Sequence, residues 1–165
     1  MAVKQWAAGD VLAAADMNAW TVPLYLYKTA STSRASNTTL TADRHLIVPM
    51  AANAMYDLVG LIDYEADATG DLKYQFTLPA AATMNYAWIG FTAADAMTDN
   101  AGNVAATVTT VGGGGAGVAR GNTITGSIVT SSTAGNLGLN WAQSSSVATA
   151  TILHQYSYLK LVRVG

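Results

Sequence analysis

The chain contains no cysteine, which excludes disulfide stapling, thiolate metal sites and cysteine nucleophiles together. A cysteine-free protein tolerates oxidising and reducing surroundings alike, so the compartment stays open on this count. Charge is nearly as scarce. Only 11% of residues are Asp, Glu, Lys or Arg, against about 25% in an average soluble domain. The net charge is −2 and there is no basic cluster, so nothing favours nucleic acid or an anionic membrane surface as partner. No apolar run approaches the ~20 residues that a membrane-spanning helix requires. The opening Met1-Ala2-Val3-Lys4-Gln5-Trp6 also lacks the apolar stretch, about 7–15 residues long, of a signal peptide. Synthesis in a cytoplasm is the expectation.

What is present is apolar but mild. Hydrophobic residues make up 51% of the chain, largely Ala and Val, and Thr, Ser, Asn and Gly fill much of the rest. A surface of that kind is neutral, weakly solvated and suited to burial against another subunit. The 165 residues fit one domain, and a domain of this size buries roughly 70% of the surface its unfolded chain exposes. It can build a core without metals or staples.

Residues 1–22 read as a separate N-terminal anchoring arm. Asp10 is a plausible N-cap for Val11-Leu12-Ala13-Ala14-Ala15-Asp16-Met17-Asn18-Ala19-Trp20, a stretch rich in helix formers. Pro23 then stops it. A helix of about ten residues is marginal alone, so it must pack on its own domain or on a partner. Trp6, Val11, Leu12, Met17 and Trp20 are the candidate particle-binding residues of the arm.

Residues 23–165 read as β. Leu72, Tyr74, Phe76 and Leu78 alternate with Lys73, Gln75 and Thr77 at the strand period of two. Before them, Tyr56, Leu58, Ile62 and Tyr64 share one face; Met55, Val59 and Leu61 share the other with Asp57 and Asp63. Further strands are expected at residues 46–50, 84–92, 104–111, 122–131, 136–143 and 158–164, about eight in all. Turn-rich stretches separate them at residues 68–71, 99–103 and 132–136. The three prolines, Pro23, Pro49 and Pro79, fall where strands begin or end. The expected fold is all-β: a jelly-roll-like antiparallel β-sandwich behind a short N-terminal helical arm.

Motifs with chemistry are few. His45 and His154 are the only side chains that titrate near neutrality unperturbed. His154 and Ser157 lie close in sequence, but no Gly-x-Ser-x-Gly elbow accompanies them, and packing or interface histidines are the simpler reading. Asp63, Glu65, Asp67 and Asp71 place four of the ten carboxylates within nine residues. Asp63, Glu65 and Asp67 alternate, so an oxygen shell for Ca²⁺ is the weak metal candidate. The alternative is a solvated hairpin whose charges discourage edge pairing. The run Gly112-Gly113-Gly114-Gly115-Ala116-Gly117 lacks the Lys-Ser/Thr pair of a phosphate loop and reads as a flexible connection or loop tip. Of Trp88, Trp141 and the eight tyrosines, most sit at core-compatible strand positions, with a glycan-stacking platform as the alternative. No catalytic residue and no cofactor is expected.

The opening Trp6-Ala7-Ala8-Gly9-Asp10-Val11-Leu12-Ala13-Ala14-Ala15-Asp16-Met17-Asn18 resembles the start of virion structural proteins from tailed phages infecting actinobacteria. So do Thr38-Thr39-Leu40-Thr41-Ala42-Asp43, the stretch from Leu46 to Tyr56, and the ending from Ser157 to Val164. Ala13 departs from the threonine usual in that pattern. The resemblance covers the arm, the first strands and the last strand, whereas residues 80–150 match only in style. It implies a trimeric jelly roll of the tumour-necrosis-factor type whose arm docks onto the particle. The expected role is a capsid decoration protein on the virion surface, with the major capsid protein or another virion protein and its own copies as partners. A minor tail or baseplate protein and a host-surface glycan-binding module are the alternatives.

Overall fold

A computed structural model describes residues 7–11, 13–14, 23–92 and 96–165, the side chain of Ala101 excepted. Its strands are β1 (Leu24–Tyr27), β2 (Thr32–Arg34), β3 (Thr41–Met50), β4 (Met55–Glu65), β5 (Leu72–Thr77), β6 (Thr83–Phe91), β7 (Met97–Val104), β8 (Thr109–Val111), β9 (Ala119–Val129), β10 (Gly135–Gln143), β11 (Thr151–Leu153) and β12 (Tyr158–Arg163). One sheet runs β1-β12-β4-β9-β6-β7, with β11 joining β4 and β2 joining β11. The other runs β3-β10-β5-β8. Every pairing is antiparallel. The protein is a two-sheet antiparallel β-sandwich, as its alternating sequence predicts.

Period-two alternation decides which face each strand buries. Along β4, Tyr56, Leu58, Ile62 and Tyr64 are buried, while Met55, Asp57 and Val59 are exposed. Leu72, Tyr74 and Phe76 bring the inner face of β5 against them, and Trp141, Leu137 and Leu139 fill the space from β10. Tyr74, Phe76 and Tyr86 pack edge to face at centroid spacings of 5.9 and 5.3 Å, a geometry that suits the ring quadrupoles.

The sequence expectation missed four strands. β1, β2 and β11 are only three or four residues long, too short for a period of two to register. β7 covers the Asp99–Asn103 stretch expected to be a turn. Asn and Gly there are tolerated because β7 is an edge strand with a bulge opposite Tyr86 and Trp88. The single strand expected over 104–111 is instead the end of β7, a corner and the short β8. Pro49 stands inside β3 opposite Asn136, which an edge strand permits. Leu12 and residues 15–22 of the expected helix, Met17 and Trp20 among them, lie outside the described residues, as does Trp6.

One polar group of contacts ties the two sheets together. After β1 the chain turns Lys28 inward at the position where Leu24 and Leu26 set the parity, and its side chain is fully buried. Nζ donates to Asp43 Oδ2 of β3 at 2.5 Å and to Thr32 Oγ1 at 3.0 Å. The Trp141 indole N–H donates to the same Asp43 oxygen at 3.1 Å, and the His45 amide donates to Oδ1 at 2.9 Å. Arg34 of β2 crosses over the Trp141 ring at 3.9 Å and donates to the Trp141 carbonyl. Burial alone would push the Asp43 carboxyl up. The Lys28 hydrogen bond, the His45 amide, the Lys28 charge and the Trp141 indole together outweigh burial and hold it below the ordinary carboxylate range.

Removing one member of a buried ion pair leaves the other uncompensated. Asp43→Ala is therefore expected to cost about 3–5 kcal/mol, read from the urea midpoint at unchanged slope. The lowered folded value means that Asp43 contributes its full stability above about pH 4 and loses it as pH falls further. Wild-type stability should drop through that acid range, and Asp43→Asn should flatten the drop.

Candidate interaction face and its flanking loops

The outward positions of the larger sheet form rows that the register makes explicit. One row runs Tyr27, Tyr158, Leu61, Thr123, Ile89, Asp99 from β1 to β7. The next runs Tyr25, Lys160, Val59, Thr125, Ala87, and a third runs Val162, Asp57, Ser127, Asn85, Val104. Met55, Val129 and Thr83 make a fourth. All of these residues are exposed or half-buried. Only Asp57, Lys160 and Asp99 among them are charged. A solvated antiparallel face ordinarily alternates polar-out, whereas this one exposes Tyr25, Tyr27, Met55, Val59, Ile89, Val104 and Val129. Contiguous exposed apolar surface is a common feature of contact faces, which makes this the candidate face.

The acidic segment and the glycine run, far apart in sequence, form one unit beside this face. β4 ends at Glu65, so Asp67 leaves the strand and the three alternate carboxylates do not share a face. Asp67 Oδ1 instead accepts the Thr69 amide at 2.9 Å and the Thr69 hydroxyl at 2.7 Å, and these bonds hold its carboxyl below the ordinary range. Glu65 Oε1 accepts the Gly117 amide at 2.5 Å, and Asp71 Oδ1 accepts the Gly113 amide at 2.8 Å. The Gly115 amide donates to the Ala66 carbonyl at 3.0 Å. Among the described residues no group of three His, Cys, Asp or Glu side chains is placed to hold a metal ion. The acidic residues cap loop amides.

That geometry also corrects the reading of the glycine run as a flexible tip. Gly112 and Gly113 are buried. The Gly112 carbonyl accepts the Tyr64 hydroxyl at 2.7 Å and Arg120 Nη1 at 3.2 Å. A Cβ on Gly113 would stand 2.3 Å from the Asp67 carbonyl oxygen, so only glycine fits. The amides that would cradle a phosphate are taken by the protein's own oxygens.

The two histidines differ in their surroundings, and only His45 is held by hydrogen bonds to its side chain. Thr29 contacts His45 Nδ1 through both its amide (3.2 Å) and its hydroxyl (3.1 Å), and Arg44 Nε lies 2.9 Å from His45 Nε2. His154 Nε2 is buried without a hydrogen-bond partner, 4.0 Å from Glu65 Oε2. Ser157 is fully buried, and its hydroxyl donates to the backbone carbonyls of His154 and Asp63 at 2.9 and 3.1 Å, not to the imidazole. Trp88 and Trp141 are in the core, so neither can stack a sugar. Tyr56, Tyr64, Tyr74 and Tyr86 are buried with them, whereas Tyr25, Tyr27, Tyr156 and Tyr158 face outward. Of the candidate arm residues, Val11 is described and is exposed; Trp6, Leu12, Met17 and Trp20 lie outside the described residues. The residues missed from sequence are Lys28 and Arg34; Lys28 continues the inward parity of Leu24 and Leu26, a signal too short to register beside its charge.

No family model matches the chain, and no curated protein matches it. Solved structures of the VP2 protein of infectious bursal disease virus are similar at TM-scores of 0.23, with 9% identity for a mutant in T=1 particles and 7% for a subviral particle. They cover 87% and 86% of this chain, which spans 40% of the length of each of those chains. Overlap at that level carries no functional weight.

Two outcomes follow from the loop geometry. Gly113→Ala should destabilise the fold by about 1–3 kcal/mol, seen as a lower denaturation midpoint. Calcium at about 5 mM should shift the melting temperature by less than about 1 °C, because the carboxylates are already engaged.

Proposed function

We propose that this chain is a non-enzymatic virion structural protein of a tailed phage, acting as a capsid decoration protein. In this reading residues 1–22 grip the assembled shell, and copies of the β-domain associate with one another as trimers. The observation that carries it is the outer face of the larger sheet, whose four rows from Tyr27 to Met55 offer mainly apolar and hydroxyl side chains, with Asp57, Lys160 and Asp99 as their charges and Asp63 and Glu65 beyond them at the end of β4. Contacts of this composition bury area with little charge desolvation. A protein that binds only the assembled shell stabilises it by mass action.

The winding of the sandwich supports the same reading. The chain passes repeatedly between sheets, giving the order β1-β12-β4-β9 in one and β3-β10-β5-β8 in the other, with β1 and β12 packed on β3. We read this as a jelly roll in which the β6–β7 hairpin is an addition that widens one sheet. The sequence resemblance of the arm to phage virion proteins supplies the partner.

Copy number per virion, with position by electron microscopy, tests the proposal. Decoration predicts hundreds of copies on the head. A few copies at the tail would replace it with the tail or baseplate reading. Removing residues 1–22 is expected to abolish particle binding with the denaturation midpoint of the β-domain retained; decoration by the truncated chain would refute the role of the arm.

A further inference from the structure

We propose that the two ends of the outer sheet face are complementary halves of one contact, through which copies of this chain join head to tail. The proposal rests on the self-assembling reading above and names the surfaces that reading needs. At the β1 end, Tyr25 and Tyr27 are 52% and 50% exposed. Their ring centroids stand 6.2 Å apart, and Tyr158 backs Tyr25 at 5.2 Å. Lys160 lies directly across the register from Tyr25. This end is an aromatic ridge with one cation.

The β7 end has the opposite relief and the opposite sign. Ile89 (51% exposed), Met97 (72% exposed), Thr98 and Asp99 line a shallow groove of about 260 Å³. On the other side of Ile89 and Asp99, a second groove of about 140 Å³ reaches Asn100, Thr123 and Thr125. Two neighbouring rings thus meet two neighbouring grooves. Apolar Ile89 and Met97 suit the ring faces, the phenol hydroxyls are donors for the Asp99 carboxylate, and Lys160 is the matching cation.

β1 and β7 are the opposite edges of one sheet, so a copy cannot satisfy its own groove. The contact joins two different patches, so a pair related by a two-fold makes it twice, and other rotations close it into a larger ring. In either arrangement each copy makes the contact twice, and closure supplies stability that one small contact lacks.

Sedimentation of the full chain without particles, across about 1–100 µM, tests this. The wild type is expected to form a closed oligomer that dissociates on dilution. The double variant Tyr25→Ala, Tyr27→Ala and the groove variant Asp99→Lys should each raise the apparent dissociation constant at least about tenfold and run as monomers. Ile89→Lys serves as a second groove variant if Asp99→Lys fails to fold. Mixed one to one, the tyrosine and groove variants should give a dimer and nothing larger, since each retains the half the other has lost. A wild type that is monomeric throughout, variants that still associate like it, or a mixture that stays monomeric would each overturn the proposal. If the rings form but phage heads are not bound, the decoration reading fails and this contact stands.

Discussion

The buried Lys28–Asp43 pair is the constraint on which the sandwich's first third depends. Sheet packing by itself is slippery, because apolar faces tolerate small shifts with little change in buried area. An ammonium and a carboxylate out of water are not tolerant: each must meet its partner or go unpaired. Lys28 directly follows β1 of the larger sheet and Asp43 lies in β3 of the smaller, so satisfying them sets where one sheet lies on the other. Trp141 joins by donating to the same carboxylate oxygen, and Arg34 covers its ring. Lys28 keeps the inward parity of Leu24 and Leu26, and the strand path breaks only after it. Ser157 and Tyr156 close that break by pairing with the Lys28 backbone.

At the C-terminal end of β4 a second polar unit does the same with backbone donors. Loops between sheets carry amides that need acceptors, and a sequence poor in charge has few to give. The carboxylates of Glu65 and Asp71 are spent on the glycine run, and Asp67 on its own turn. Glycine is required where Gly113 passes against the Asp67 carbonyl. Acidity and flexibility, each suggestive of ligand binding when read alone, cancel once the two segments meet.

With Lys28 and Asp43 buried and Glu65 and Asp71 tied to loop amides, the middle of the larger sheet's outer face carries little free charge. What remains there is an aromatic ridge at one edge and grooves at the other, joined by threonine and aliphatic rows. A face of this kind is costly in a solitary protein and useful in an assembly. The β6–β7 hairpin matters because it widens the sheet and supplies the grooved edge.

The sequence by itself determined the β class, the faces of β4 and β5, and the coreward placement of Trp88, Trp141 and half the tyrosines. Those follow from a local period of two, which needs no knowledge of partners. It also marked the acidic segment and the glycine run as unusual. Only the tertiary structure decided that these two segments satisfy each other, that Lys28 pairs with Asp43, and that β7 replaces an apparent turn. The reason is physical: short strands, edge strands and buried ion pairs are stabilised by groups distant in the chain, such as Asp43 for Lys28 and Asp71 for Gly113. Local pattern has no access to such contacts.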